Sequence, residues 1–192
     1  MRAMIHERMA PELLPYKTDL MKNILSHIES QQQFLLDSHE YSDMNNKDLK
    51  LQLMIIETEL ERIQYIIRLY LRVRLNKLQQ FTVFYLNDEN QNGLLSSEER
   101  EYIGKYFQIM SKLYNNSFLK KVPTILSYLD DTSGGQSMIV KPEMNYPVFI
   151  KCLNDRIIDL NKDEQLELVK DGVYVVKYNI IKKYLDSDII LI

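Results

Sequence analysis

From Lys47 to Tyr85 the chain contains neither glycine nor proline, and Leu49, Leu53, Ile56, Leu60, Ile63, Ile67 and Tyr70 recur there at alternating steps of four and three. That spacing lays one apolar stripe along a helix, and with no breaker the helix can continue for about ten turns. A central helix of this length implies a mainly α fold, because sandwiches and barrels of short strands need frequent turns. Composition agrees: the 192 residues include five glycines and five prolines, whereas an average globular chain carries about 12 % of the two together. The glycines are Gly93, Gly104, Gly134, Gly135 and Gly172, so no G-x-G-x-x-G, Walker A loop or G-x-S-x-G elbow can be written. Nucleotide sites of those kinds and the α/β-hydrolase elbow are excluded.

Before the central helix, Leu13, Leu20, Ile24, Ile28 and Leu35 keep a helical period from Ala10 to Asp37, predicting one helix with Pro11 in its first turn. The polar stretch Ser38 to Asn46 ends it. After the central helix, Ser96 with Glu99 three residues later has the form of a capping box, opening a helix through Tyr102, Phe107, Met110 and Leu113. Gly104 inside that helix would let another helix approach closely. Ser117 to Leu129 reads as a fourth helical stretch interrupted by Pro123, and Asp130 to Ser137 gathers turn-forming residues. Beyond it the period changes to short β-branched and aromatic runs, at Pro147 to Ile150, Arg156 to Leu160, Tyr174 to Tyr178 and Ile189 to Ile192. The expected organisation is a helical domain over 1–129, a linker over 130–141 and a small β-rich domain over 142–192, with one helix near Ile180 to Leu185.

Lysine and arginine number 24 against 27 aspartates and glutamates, a net charge of -3, so no global field draws the chain toward nucleic acid or anionic lipid. The single Cys152 permits no internal disulfide. The first residues lack the apolar stretch of a secretory signal, and uninterrupted apolar runs stop at four residues, far short of the ~20 that span a bilayer. A soluble intracellular protein without membrane contact is expected.

Asp88, Asn90 and Asn92, then Gly93 and Glu99, satisfy the EF-hand pattern D-x-[DN]-x-[DN]-G-x5-E between two predicted helices. EF-hands work in pairs, however, and the same residues describe an ordinary loop running into a capping box, so a calcium-binding module and a plain connection both stand. Arg62, Arg68, Arg72, Arg74 and Lys77 form a run of five cations with no acid between the first and the last. Their angular positions read as flanking the apolar seam, which suits charge pairing at a protein interface or a contact to nucleic acid phosphate. The three histidines fall in the first 39 residues, far from Cys152, so no zinc-ligand spacing arises. Cys152 in a β-like run reads as a small buried hydrophobe, and nothing marks an enzyme or a cofactor site. In Glu61 to Leu75 nine of fifteen residues are apolar and cover more than one stripe. One stripe serves a core; the second asks for another protein surface.

The segment from Glu59 to Leu78, E-L-E-R-I-Q-Y-I-I-R-L-Y-L-R-V-R-L-N-K-L, closely resembles the signature of subunit 4 of the GINS complex, the Sld-five family. Glu7 to Leu14, Leu95 to Glu99, Leu119 to Pro123, Pro147 to Phe149 and the tail from Tyr178 to Ile192 are similar to that family's other segments, in the same order. The family pattern has a longer polar tail ahead of its first helix. The resemblance implies a helical domain followed by a small β domain in a nuclear, non-catalytic subunit without cofactor. It implies a heterotetramer with three sister subunits that joins the MCM ring and Cdc45 in the replicative helicase and couples it to the leading-strand polymerase, with DNA contact weak or indirect. By the same resemblance, Glu59, Glu61, Arg62, Tyr65, Tyr70, Leu71, Arg72, Arg74, Lys77, Leu191 and Ile192 are interface residues, some of the cations pairing within the helix, and the Asp88 to Glu99 loop is a variable connection.

Overall fold

The computed structural model describes residues 1–41, 47–87, 93–123, 139–160, 165–185 and 187–192. The helices α1 (Arg2–Met9), α2 (Thr18–Tyr41), α3 (Lys47–Gln80), α4 (Thr82–Asn87) and α5 (Ser97–Ser117) come first, followed by a 3-10 turn at Leu119–Lys121. Then come β1 (Pro147–Cys152), β2 (Arg156–Asp159), β3 (Gln165–Leu168), β4 (Val173–Lys177), α6 (Tyr178–Ile181) and β5 (Ile189–Leu191). The chain is mainly α, a helical bundle followed by a small antiparallel-sheet region, the class its sequence predicts.

Three local expectations need correction. The helix expected from Ala10 to Asp37 starts only at Thr18: residues 10–17 are a non-helical connection, and a separate short helix, α1, precedes them. Ala10, at φ -67° and ψ 138°, precedes Pro11, whose ring pushes it out of the α region, and Pro15 supplies no N–H four residues later. The central helix pauses at Phe81, where the Thr82 hydroxyl donates to the carbonyls of Leu78 and Gln79 at 2.7 and 2.9 Å and competes with the backbone ladder. The interruption is one residue wide, since the Phe81 N–H still reaches Lys77 O at 2.9 Å. Finally, a Cβ added at Gly104 would meet no atom of the described residues within 4 Å, so among them that glycine marks no close helix approach. The stretch after Ser117 makes the short 3-10 turn, while Thr124 to Leu129 and the turn-rich Asp130 to Ser137 fall outside the described residues. The capping box forms as expected: Ser96 Oγ accepts from the Glu99 N–H at 3.2 Å, and Glu99 Oε2 accepts from the Ser96 N–H at 3.0 Å.

The chain divides into two compact units that do not follow chain order: Lys17–Leu71 is one, and Met1–Tyr16 with Arg72–Ile192 is the other. The first pairs α2 with the N-terminal three-quarters of α3, burying Met21, Ile28, Leu53, Leu60 and Tyr70. In the second, Leu13, Leu78, Tyr85 and Ile103 form a helical core joined by Leu75, Phe81, Phe84 and Leu95.

The same unit holds the β module. Strands β4, β1 and β5 make an antiparallel sheet in that order, with Phe149 opposite Val175 and Ile150 opposite both Tyr174 and Leu191. Alternation sends Val148, Ile150 and Cys152 inward to meet Val176, Ile189 and Leu191, and leaves Phe149, Val173 and Val175 outside. Strands β2 and β3 pair as a separate hairpin that adds Ile158 and Leu168 to this core. Asp171 turns the chain into β4 at φ 60°, and at Gly172 a Cβ would come within 2.7 Å of the Tyr174 ring.

Candidate interaction surface

Continuing the four-three spacing past Tyr70 leads to positions 74 and 77, and both hold cations. Arg74 and Lys77 therefore stand on the apolar seam instead of flanking it, and they are buried. The Arg74 guanidinium is fully enclosed, and each of its five N–H bonds has an acceptor. Nε and Nη2 donate to the two Glu99 oxygens at 2.7 and 2.9 Å, Nη1 to Glu7 Oε2 at 2.9 Å and Leu14 O at 2.6 Å, and Nη2 also to Leu94 O at 2.9 Å. Its Cζ lies over the Tyr16 ring, 5.2 Å from the ring centre. Lys77 Nζ uses its three protons on Glu7 Oε1 at 2.9 Å, Glu12 O at 2.7 Å and the Glu7 carbonyl.

The cluster extends into the β module. Glu12 Oε1 accepts from the Tyr178 hydroxyl at 2.9 Å, and Oε2 accepts from Lys182 Nζ at 2.7 Å. Three cations thus face three carboxylates; five of the six are buried and Lys182 stays half exposed, and the pairing is how the buried charges are held. Burial pulls the Lys77 ammonium below its ordinary value, with the Glu7 carboxylate opposing the shift. Burial also pushes the Tyr85 phenol up to about 12, and the Tyr178 phenol is raised by burial and then by the Glu12 charge.

These bonds decide several sequence expectations. Glu99, the twelfth position of the candidate calcium loop, has both oxygens engaged by Arg74 and the Ser96 N–H; Asp88, Asn90 and Asn92 lie outside the described residues. The five-cation run is broken up, because Arg74 and Lys77 are internal and Arg62 bonds Glu59 at 2.6 Å one turn earlier. Arg68 and Arg72 are exposed. Tyr70 is buried, and Leu71 is half-buried. Leu191 is a core residue of β5, whereas Ile192 is 39 % exposed and donates its N–H to Phe149 O at 3.2 Å. For Arg74, Lys77, Tyr70 and Leu191 the burial is internal to the chain, so these side chains present no open surface. Sequence reasoning missed Glu7, Glu12, Tyr178 and Lys182, although two cations on a core stripe already call for acidic partners.

Among the polar residues open on the hairpin stand several large apolar ones. Leu20, Leu25, Phe34 and Leu36 on α2, with Leu51, Met54, Ile55 and Tyr65 on α3, are all exposed, Tyr65 by 60 %. A groove between the two helices is lined by Leu35, Leu36, Glu57, Leu60 and Glu61, and Glu59 lies exposed nearby on α3. A hairpin with this much uncovered apolar surface has the character of a docking element.

Two family models match the chain in sequence order. The GINS complex protein helical bundle domain of Sld5 covers residues 18–118, and the C-terminal domain of the DNA replication complex GINS protein SLD5 covers residues 142–191. The chain belongs to the Sld5 family of GINS proteins. Its similarity to the DNA replication complex GINS protein SLD5 of Debaryomyces hansenii is 56 % identity, covering 99 % of this chain and 84 % of the relative. The Saccharomyces cerevisiae protein of the same name is 34 % identical over 98 % of this chain and 77 % of its own length, and that of Schizosaccharomyces pombe is 32 % identical over 94 % and 84 %. No helix among the described residues of this Sld5-family chain is long and apolar enough to cross a membrane.

Proposed function

We propose that this chain is the Sld5 subunit of a GINS heterotetramer, a non-catalytic scaffold that works in the nucleus with the MCM ring and Cdc45 in the replicative helicase. The observation that carries this reading is the exposed apolar surface of the α2–α3 hairpin, which a stable monomer would bury. Glu59, Glu61, Arg62, Tyr65, Leu71 and Arg72 on α3, with Ile192 at the end of the sheet, are the members of the family motif that remain available to sister subunits. Arg74, Lys77, Tyr70 and Leu191 support assembly indirectly, by fixing the surface on which the others stand. The helical and β-rich parts, 1–129 and 142–192 about a linker at 130–141, supply separate contacts in this reading.

The test is expression alone and together with the three sister subunits, followed by size-exclusion chromatography with mass determination. Alone, the chain should self-associate or precipitate; together, it should elute in one species with one copy of each subunit. A monodisperse monomer that ignores the sister subunits overturns the reading.

A further inference from the structure

The stretch between α1 and α2 is non-helical, and its side chains meet partners on two sides. Leu13 enters the helical core with Leu78, Tyr85 and Ile103. Ala10 and Leu14 face the other way, Ala10 lying inside the β-module core among Val148, Ile150, Tyr178 and Ile189, and Leu14 packing on it. Glu12 shares that side, 7 % exposed, with its carboxylate on Tyr178 and Lys182. The β core is therefore completed by residues more than 130 positions earlier in the chain.

The two attachments also differ in kind. Toward the helices the stretch is held mainly through its backbone: Leu13 N–H donates to Tyr85 Oη at 2.9 Å, Tyr16 N–H to Leu94 O at 3.1 Å, and the carbonyls of Glu12 and Leu14 accept from Lys77 and Arg74. Among the described residues, it is held toward the β module by the Glu12 side-chain hydrogen bonds and by the packing of Ala10 and Leu14. A change at those side chains can loosen the sheet without detaching the stretch from the helices.

We infer that residues 10–16 are a latch on the C-terminal module, with the Glu12 carboxylate as its pin, so that releasing Glu12 opens the β core while the helices stay folded. The inference concerns the chain itself and does not depend on its assembly partners.

Cys152, the one cysteine, is fully enclosed in that core, and burial raises its thiol pKa. Its reaction with a thiol reagent in the full chain, read by mass spectrometry of the Cys152 peptide, reports the opening. Glu12→Gln and Tyr178→Phe should each speed labelling roughly 10- to 100-fold, the loss expected for a hydrogen bond to a charged group, with the far-UV helical signal unchanged. Because carboxylate and hydroxyl bond each other, the double variant should label about as fast as the faster single one. The exposed Arg62→Gln change should leave the rate alone. Unaltered labelling in both single variants overturns the latch, as does faster labelling accompanied by helix loss; multiplicative effects in the double variant overturn the pin.

Discussion

A fully buried arginine in a helix seam is tolerable only when every N–H and every unit of charge has a counterpart, and Arg74 meets that condition with two carboxylates and two carbonyls. Arg74→Ala would strand Glu7 and Glu99, and should lower unfolding stability by about 3 to 5 kcal/mol in a denaturant titration. By contrast, Tyr65→Ala removes an exposed ring and should stay within about 0.5 kcal/mol of the parent. The buried phenols give a pH signature. Tyr85 and Tyr178 hold their protons more tightly folded than unfolded, so their stabilisation is complete below the ordinary phenol value of 10.0 and is lost as pH rises through the folded values. Lys77, lowered on folding, works in the opposite sense just below its ordinary value of 10.5. Thermal melts should therefore fall steeply above pH 10, each phenol adding about 1.4 kcal/mol per pH unit, and Tyr178→Phe should flatten that slope. A slope identical to the parent's would show that Tyr178 does not carry the effect.

At the scale of elements, the cap of α5 does two jobs through one residue. Ser96→Ala removes only the cap bond and should cost about 1 kcal/mol, whereas Glu99→Ala also strips Arg74 of its bidentate partner and should cost about 3 kcal/mol or more. Equal losses in the two variants would mean that the Arg74 contact contributes nothing. This helix start was legible in the sequence because a capping box is local chemistry, and the long seam of α3 was legible because its spacing needs no tertiary information. The non-helical stretch after α1 was obscured because Leu13 and Leu20 fit a helical period even though Pro11 and Pro15 interrupt it. Strand β3, Q-L-E-L, lacks β-branched residues and is held by pairing with β2, a non-local cause. Sequence pattern alone places Arg74 and Lys77 as flanking charges because it weighs a cation as exposed; their acidic partners lie between 25 and 70 positions away, and only the fold brings them in.

In the whole molecule, one charged cluster is buried beside the apolar cores while a set of large apolar side chains stays exposed. Charges that a sequence reading would put on an interface are inside, stitching the N-terminal stretch, α3, α5 and the β module of one compact unit. Large apolar side chains on the α2–α3 hairpin are outside. On the proposed reading, internal charge pairs give the subunit its shape and the exposed apolar surface gives it its partners. The measurement that tests this most directly is co-expression of a Met54→Glu/Tyr65→Glu variant with the three sister GINS subunits, with the complex captured through a sister and its mass measured. Both residues are exposed, so the variant's helical signal should match the parent while its recovery in the complex falls at least about ten-fold. Full recovery of a four-subunit complex containing the variant would contradict the account.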